Sequence, residues 1–262
     1  MAVRSLFIIM MLLGMTGTAS ADVAAGEAAM NRGDYTAALK EFQPLAEKGD
    51  MQAQVEMAYL YYHGNGVAQD RAEAAKWLGK AADQGSAYAQ YNLGKMHATG
   101  NGVKKDPAEA VRYYRMAAAA GNADGQIALG LAFVAGSGVE KNEKEAAIWI
   151  RKASDQGSPR AQGILGKMYA VGTGVPQNDA EAFRLYKRAA AAGDRDAQAS
   201  LGMVYLLGKG TVKDPIQAYV WSSVAADAGV DAAKDIRTLA EKELTSAQLA
   251  GAKKLVQDRK GR

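Results

Sequence analysis

Residues 87–122 read AYAQYNLGKMHATGNGVKKDPAEAVRYYRMAAAAGN, and this stretch decides the fold because the chain contains it in five versions. Its Gly-x-Gly pair, Gly100/Gly102, recurs as Gly64/Gly66, Gly136/Gly138, Gly172/Gly174 and Gly208/Gly210, a constant step of 36 residues. A second glycine, Gly121, keeps the same step at Gly49, Gly85, Gly157, Gly193 and Gly229. A strict period within about 20–50 residues marks a solenoid, in which each repeat is one supersecondary unit that buries its apolar face only by stacking.

Each unit reads as two helices. Helix A runs from about Ala87 to Ala98, with Leu93, Gly94 and His97 on one face. The same positions are Met57/Ala58/Tyr61, Leu129/Gly130/Phe133, Leu165/Gly166/Tyr169 and Leu201/Gly202/Tyr205, at spacings that share a helical face. The small residue in each set lets another helix come close. Gly100-Asn101-Gly102-Val103 stops helix A, because glycine takes the left-handed conformation favoured at a helix C-terminus and Val103 tucks back as a plug.

Helix B opens on an N-cap, Asp70, Asp106, Asn142, Asn178 or Asp214, with Glu73, Glu109, Glu145, Glu181 or Gln217 three residues later. This is a capping-box pattern, and Pro107 and Pro215 take the first helical position. Two alanine series, Ala74/Ala110/Ala146/Ala182/Ala218 and Ala81/Ala117/Ala153/Ala189/Ala225, are small contact points. The large residues between them, Trp77, Tyr113, Trp149, Leu185 and Trp221, are expected to interdigitate as core, with Trp149 buried between the second and fourth repeats. Gly85 and its equivalents close helix B, and Ser86, Asn122, Ser158 and Asp194 cap the next helix A. The expected fold class is all-α: a right-handed α/α superhelical solenoid of antiparallel helix pairs.

The ends differ from the array. Residues 22–50 form an N-terminal capping hairpin that turns at Arg32-Gly33-Asp34-Tyr35, with Ala38, Phe42 and Ala46 facing inward. The repeats then occupy 51–86, 87–122, 123–158, 159–194 and 195–230. Residues 231–262 read as two closing helices, with Thr245 capping the last and Leu239, Leu244, Leu249 and Leu255 as apolar contributions. Residues 1–21 read as a signal peptide: Arg4, then the apolar Leu6 to Leu13, then Ala19-Ser20-Ala21 before the cut. The mature chain is expected to start at Asp22, periplasmic or secreted, with no membrane span after cleavage. The chain has no cysteine, so neither a lipid anchor on cysteine nor a disulfide is expected. The formal net charge is +4, and +3 once Arg4 leaves with the signal, too mild for a nucleic-acid binder.

At this point the residues resemble a family. The pattern Ala-Gln-x-x-Leu-Gly-x-Met-x-x-x-Gly-x-Gly-Val-x-x-Asp-x-x-Glu-Ala, best seen in Ala161 to Ala182 (AQGILGKMYAVGTGVPQNDAEA), is similar to the Sel-1-like repeat, a relative of the tetratricopeptide repeat. The resemblance covers Met51 to about Val230 and departs at Thr211, which replaces the plug valine. It implies a protein–protein adaptor or scaffold. Exported bacterial members look like regulators of envelope or exopolysaccharide processes, or factors used in contact with host cells. A cysteine-rich branch is associated with penicillin binding, and this chain lacks those cysteines.

No catalytic, metal or cofactor constellation stands out. The two histidines, His63 and His97, fall off the 36-residue register, and His97 takes the place of a Tyr or Phe. The Gly-x-Gly turns lack the preceding strand of a phosphate loop. Gln54, Gln90, Gln126, Gln162 and Gln198 lie on the core side of helix A, where an amide bonds the backbone of the preceding repeat. The other face of helix A carries a two, five, nine, twelve stripe that points about 140° from the core stripe at roughly 100° per residue. From it come the expected groove residues: Tyr59, Tyr62, Tyr88, Tyr91, Lys95, Ile127, Leu131, Arg160 and Lys167. Tyrosines beside a lysine suit a peptide or a sugar. The first functional reading is therefore an exported, non-enzymatic scaffold that holds a protein segment in its concave groove. The second is a regulator or assembly component of surface polysaccharide that binds a sensor ectodomain or an acidic glycan. The third is a cell-wall hydrolase.

Overall fold

A computed structural model describes residues 21–260, so the expected signal peptide lies outside the described residues apart from Ala21. Among the described residues the secondary structure is fourteen α-helices and no strand. They fall into two compact units, one ending at Gln84 and one beginning at Gly85. The first holds α1 (Ala21–Arg32), α2 (Tyr35–Glu47), α3 (Met51–His63) and α4 (Arg71–Asp83). The second holds α5 (Ala87–Thr99), α6 (Pro107–Ala119), α7 (Ala123–Ala135), α8 (Glu143–Asp155), α9 (Pro159–Val171), α10 (Asp179–Ala191), α11 (Arg195–Leu207), α12 (Pro215–Asp227), α13 (Ala232–Lys242) and α14 (Ser246–Lys260). Within each unit successive helices pack as antiparallel pairs, and α12 receives both closing helices. This is the expected all-α solenoid.

The two glycines of a Gly-x-Gly pair do different things. Gly136 ends α7 in the left-handed conformation (φ 67°), and its N–H donates to the Ala132 carbonyl. Gly138, also left-handed at φ 72°, lies on the preceding repeat, where a Cβ would overlap the Pro107 carbonyl oxygen at the start of α6. Gly174 and Gly210 meet Glu143 and Asp179 in the same way. The expected helix stop thus accounts for the first glycine only. The second marks the place where one repeat's loop touches the backbone of the repeat before it.

The capping box forms by half. Asn142 Oδ1 accepts from the Glu145 N–H at 3.0 Å, and Asp106 accepts from Glu109 at the same distance. The return bond is absent because the cap's own N–H donates to helix A, Asp106 to His97 and Asn142 to Phe133, each at 2.9 Å. The third-position carboxylates turn outward instead: Glu109 pairs with Arg112, Glu181 with Arg184, and Glu145 accepts from Trp149 Nε1 at 2.9 Å. Thr245 does make both bonds, accepting from the Gln248 N–H while Gln248 Oε1 accepts from its own.

The alanine stripes of helix B are fully buried, with Ala74, Ala146, Ala218, Ala153 and Ala189 at 0% exposure. The expected large partners need correction. Trp77, Leu185 and Trp221 are buried as expected, but Tyr113 and Trp149 are only partly so: the Trp149 ring packs on the edge of the core under the Lys152 ammonium, 4.0 Å from the centroid. The residue that fills the helix A–helix B contact is one step later. Ile150 is fully buried against Gly130, and Tyr114 and Tyr186 lie against Gly94 and Gly166. In each case a side chain on the glycine would collide with that partner, which is why the small residue recurs.

The glutamine series is as expected and more buried than half. Gln126 Nε2 donates to the Ala118 carbonyl at 3.2 Å and its Oε1 accepts from Gln156 Nε2 at 2.8 Å. Gln54 makes the same pair of bonds with Ala46 and Gln84. These two amides tie helix A to the helix before it and the helix after it, whereas Gln198 keeps only the first bond, to the Ala190 carbonyl. In the N-terminal hairpin, Ala38, Phe42 and Ala46 are buried as expected. At the other end Leu239 and Leu255 are 49% and 43% exposed, contrary to their expected role. Ala233, Ile236, Ala240, Ala252 and Val256 face the core there, because α13 and α14 both pack on α12 through their small faces.

Glu56 on α3 is a charged residue buried in the first unit, 8% exposed. Burial above all, then the Glu27 carboxylate, pushes its carboxyl up from 4.5 to about 7, against the bond it accepts from Gln52. The native state therefore holds a proton that the unfolded chain releases near pH 4.5. The stabilisation is complete below that pH and is lost as the pH rises through about 7. Stability should fall by up to about 3 kcal/mol across this interval, and Glu56→Gln should remove most of the fall. Urea unfolding at pH 5 and pH 8 checks this. An equal loss in the parent and the variant would exclude Glu56 as the cause.

Candidate functional site

Helix A presents its outer face through the capped ends of each repeat, so the stripe residues hold fixed positions along it. In the unit ending at Gln84, Tyr59 and Tyr62 are half-buried on α3 and pack on either side of His63, with ring centroids at 4.6 and 5.1 Å. The Arg71 guanidinium lies 5.7 Å from the Tyr62 ring centre.

In the unit beginning at Gly85, α5, α7 and α9 supply the rest. Tyr88 is 41% exposed on α5 and Leu131 37% on α7, and Lys95, Arg160 and Lys167 are exposed. Arg160, at the start of α9, stands 3.9 Å from the Asp124 carboxylate on α7, and both groups act on the Tyr91 phenol of α5. Charges of the third and fourth repeats thus act together on a side chain of the second. Burial raises the Tyr91 phenol most, Asp124 raises it further, and Arg160 acts in the opposite direction. The Tyr91 ring also leans on Tyr114, at 6.2 Å between centroids.

That convergence corrects one expectation. Ile127 is not a groove contact: it is 0% exposed and belongs to the core. Helices α5 and α7 pack directly on each other, and the fifth position of the middle helix is enclosed. Ala199 and Leu206, stripe positions in the fifth repeat, are buried at 8% and 5% because the closing helix α13 packs on α11, Ala199 clustering with Ala225 and Ala233 and Leu206 with Tyr219 and Ile236. The exposed surface is a narrower ribbon of second and ninth positions. Asp124 belongs to it, although only its position in the stripe and not its partner was apparent in the sequence. The available signal was the change of charge at the second position of successive repeats, Asp124, Arg160 and Asp196.

His97 sits where an aromatic ring was expected, half-buried and stacked on Tyr113 at 5.6 Å with an interplanar angle of 15°. Among the described residues no helix is long and apolar enough to cross a membrane.

The family profile of the Sel1 repeat matches residues 52–86, 87–122, 123–158, 159–194 and 195–230. No curated protein matches the chain. A Sel1 repeat protein from Oxalobacter formigenes of known crystal structure is 33% identical, with a TM-score of 0.77 over 82% of this chain and 86% of its own. The protein c5321, a protective antigen present in uropathogenic Escherichia coli strains and displaying an SLR fold, is also 33% identical, with a TM-score of 0.79 over 91% of this chain. The match covers 53% of c5321, so this chain spans about half of that protein. The immunity protein Pa5087 from Pseudomonas aeruginosa is similar in fold, at 22% identity and a TM-score of 0.51 over 79% of this chain and 83% of its own. With five consecutive profile matches laid over five helix pairs of one pattern, the chain belongs to the Sel1 repeat family.

Proposed function

We propose that this Sel1 repeat protein is an exported, non-enzymatic scaffold that takes an acidic segment of a partner protein on the helix-A ribbon of α5, α7 and α9. The observation that supports this reading most is the company of exposed groups on that ribbon: Tyr88 and Leu131 beside the cations Lys95, Arg160 and Lys167. Tyrosine offers a broad ring and a polar tip at small cost in side-chain entropy, which suits an exposed contact. The cations favour carboxylates, and the capped helices hold the ribbon ready before a partner arrives. Export rests on the residue pattern at 1–21.

The test is affinity capture from the cell envelope with mature protein as bait, its intact mass corresponding to a chain that starts at Asp22. Tyr88→Ala with Lys95→Glu should weaken capture by roughly tenfold or more, since each group is worth about 1 kcal/mol or more at a contact centre. Helical circular dichroism and the melting temperature should stay near those of the parent, because both side chains are exposed. Capture at parental strength by this variant would put the contact elsewhere. Capture of an acidic polysaccharide in place of a protein would favour the glycan reading.

A further inference from the structure

The last three helices border a second feature, separate from the helix-A ribbon. An open pocket of about 360 Å³ lies between α12, α13 and α14, lined by Tyr219, Ser223, Asp227, Arg237, Lys253 and Lys254 among others. Its size is at the small end of ligand pockets. Tyr219, Ser223 and Asp227 follow one another at four-residue intervals on one face of α12. Arg237 comes from α13 and the lysines from α14.

Two observations point to a ligand. First, Ser223 is 4% exposed and its buried hydroxyl has no partner. Its neighbour Ser222, also buried, donates to the Ala218 carbonyl at 2.7 Å, the usual solution for a serine inside a helix. Ser223 faces the pocket and keeps its hydroxyl unused. A buried polar atom without a partner is costly and calls for an explanation. Second, three cations converge on the same space. Among the described residues Arg237, Lys253 and Lys254 form no ion pair. With Asp227 counted, the lining carries a formal charge of +2.

We infer that this pocket binds a small phosphate-bearing molecule, held by Arg237, Lys253 and Lys254 with the Ser223 hydroxyl donating to it. A phosphate monoester carries between about −1.5 and −2 at neutral pH, which matches the lining charge. Its oxygens can take the guanidinium fork and two point-charge lysines together. A single carboxylate would leave one positive charge uncompensated.

The experiment is calorimetric titration of the full mature chain with glycerol 3-phosphate, inorganic phosphate and glucuronate. Both phosphates should bind, and glucuronate should bind more weakly. A tighter glycerol phosphate assigns the ligand as an ester, and equal affinity assigns phosphate itself; either supports the site. Arg237→Gln with Lys253→Gln should weaken phosphate binding by about tenfold or more. Ser223→Ala should weaken it several-fold while leaving the melting temperature unchanged or raised, since the hydroxyl has no bond in the free protein. Absence of phosphate binding, glucuronate binding as tight as phosphate, or affinity unaltered by the double variant would overturn the assignment. So would a Ser223→Ala variant that melts lower yet binds phosphate like the parent.

Discussion

Gly138→Val should cost roughly 3 kcal/mol or more of stability. Two penalties combine at this position. The residue sits at φ 72°, a region that a β-branched side chain occupies only with strain. A side chain would also overlap the Pro107 carbonyl oxygen, a backbone atom that cannot turn aside. The loop must then lift from α6, breaking the junction between the second and third repeats. Gly157 separates these penalties. Its φ is 88°, yet nothing lies within 4 Å of an added Cβ, so Gly157→Ala should cost only about 1–2 kcal/mol. In a solenoid the damage stays near its source. Hydrogen exchange should accelerate in α6 and α7 of the Gly138→Val protein before it does in α13 and α14. Equal melting curves for the two variants would show that the backbone contact contributes nothing.

Ile150→Ala should destabilise by about 2–5 kcal/mol, and by more than Trp149→Ala does. Ile150 is fully buried, with its Cγ1 and Cδ1 packed on Gly130, and truncation leaves a cavity between α7 and α8. The backbones already touch through glycine, so they have little room to close over it. Trp149 loses a larger group from a wetter place. Its removal sacrifices the bond to Glu145 and the contact with Lys152, together worth about 1–2 kcal/mol, along with some edge packing. Chemical denaturation of the two single variants gives the order directly. A larger loss for Trp149→Ala would return that tryptophan to the core.

The repeat boundaries, the helix pairs and their caps were determined by the sequence alone, because each depends on local chemistry. The first glycine of each pair stops helix A in the left-handed conformation, and Asp, Asn and Ser cap the next helix through a bond that spans only three residues. The alanine stripes were equally clear, since they recur at the helical spacing in every copy.

Which large residue faces the partner helix was not determined there. At about 100° per residue, Trp149 and Ile150 lie roughly 50° to either side of the Ala146–Ala153 stripe, so helical geometry alone does not choose between them. The choice belongs to the packing of α8 against α7, which puts Ile150 on Gly130 and leaves Trp149 at the rim. Ile127 follows the same logic. It lies on the outward stripe of its own helix, but α5 and α7 pack together and bury it. The ion pair of Asp124 with Arg160, and the effect of both on the Tyr91 phenol, join residues of three different repeats. The pocket below Ser223 needs three helices at once. Such features depend on how neighbouring helices approach each other, which a periodic sequence pattern does not record; only the tertiary structure decided them.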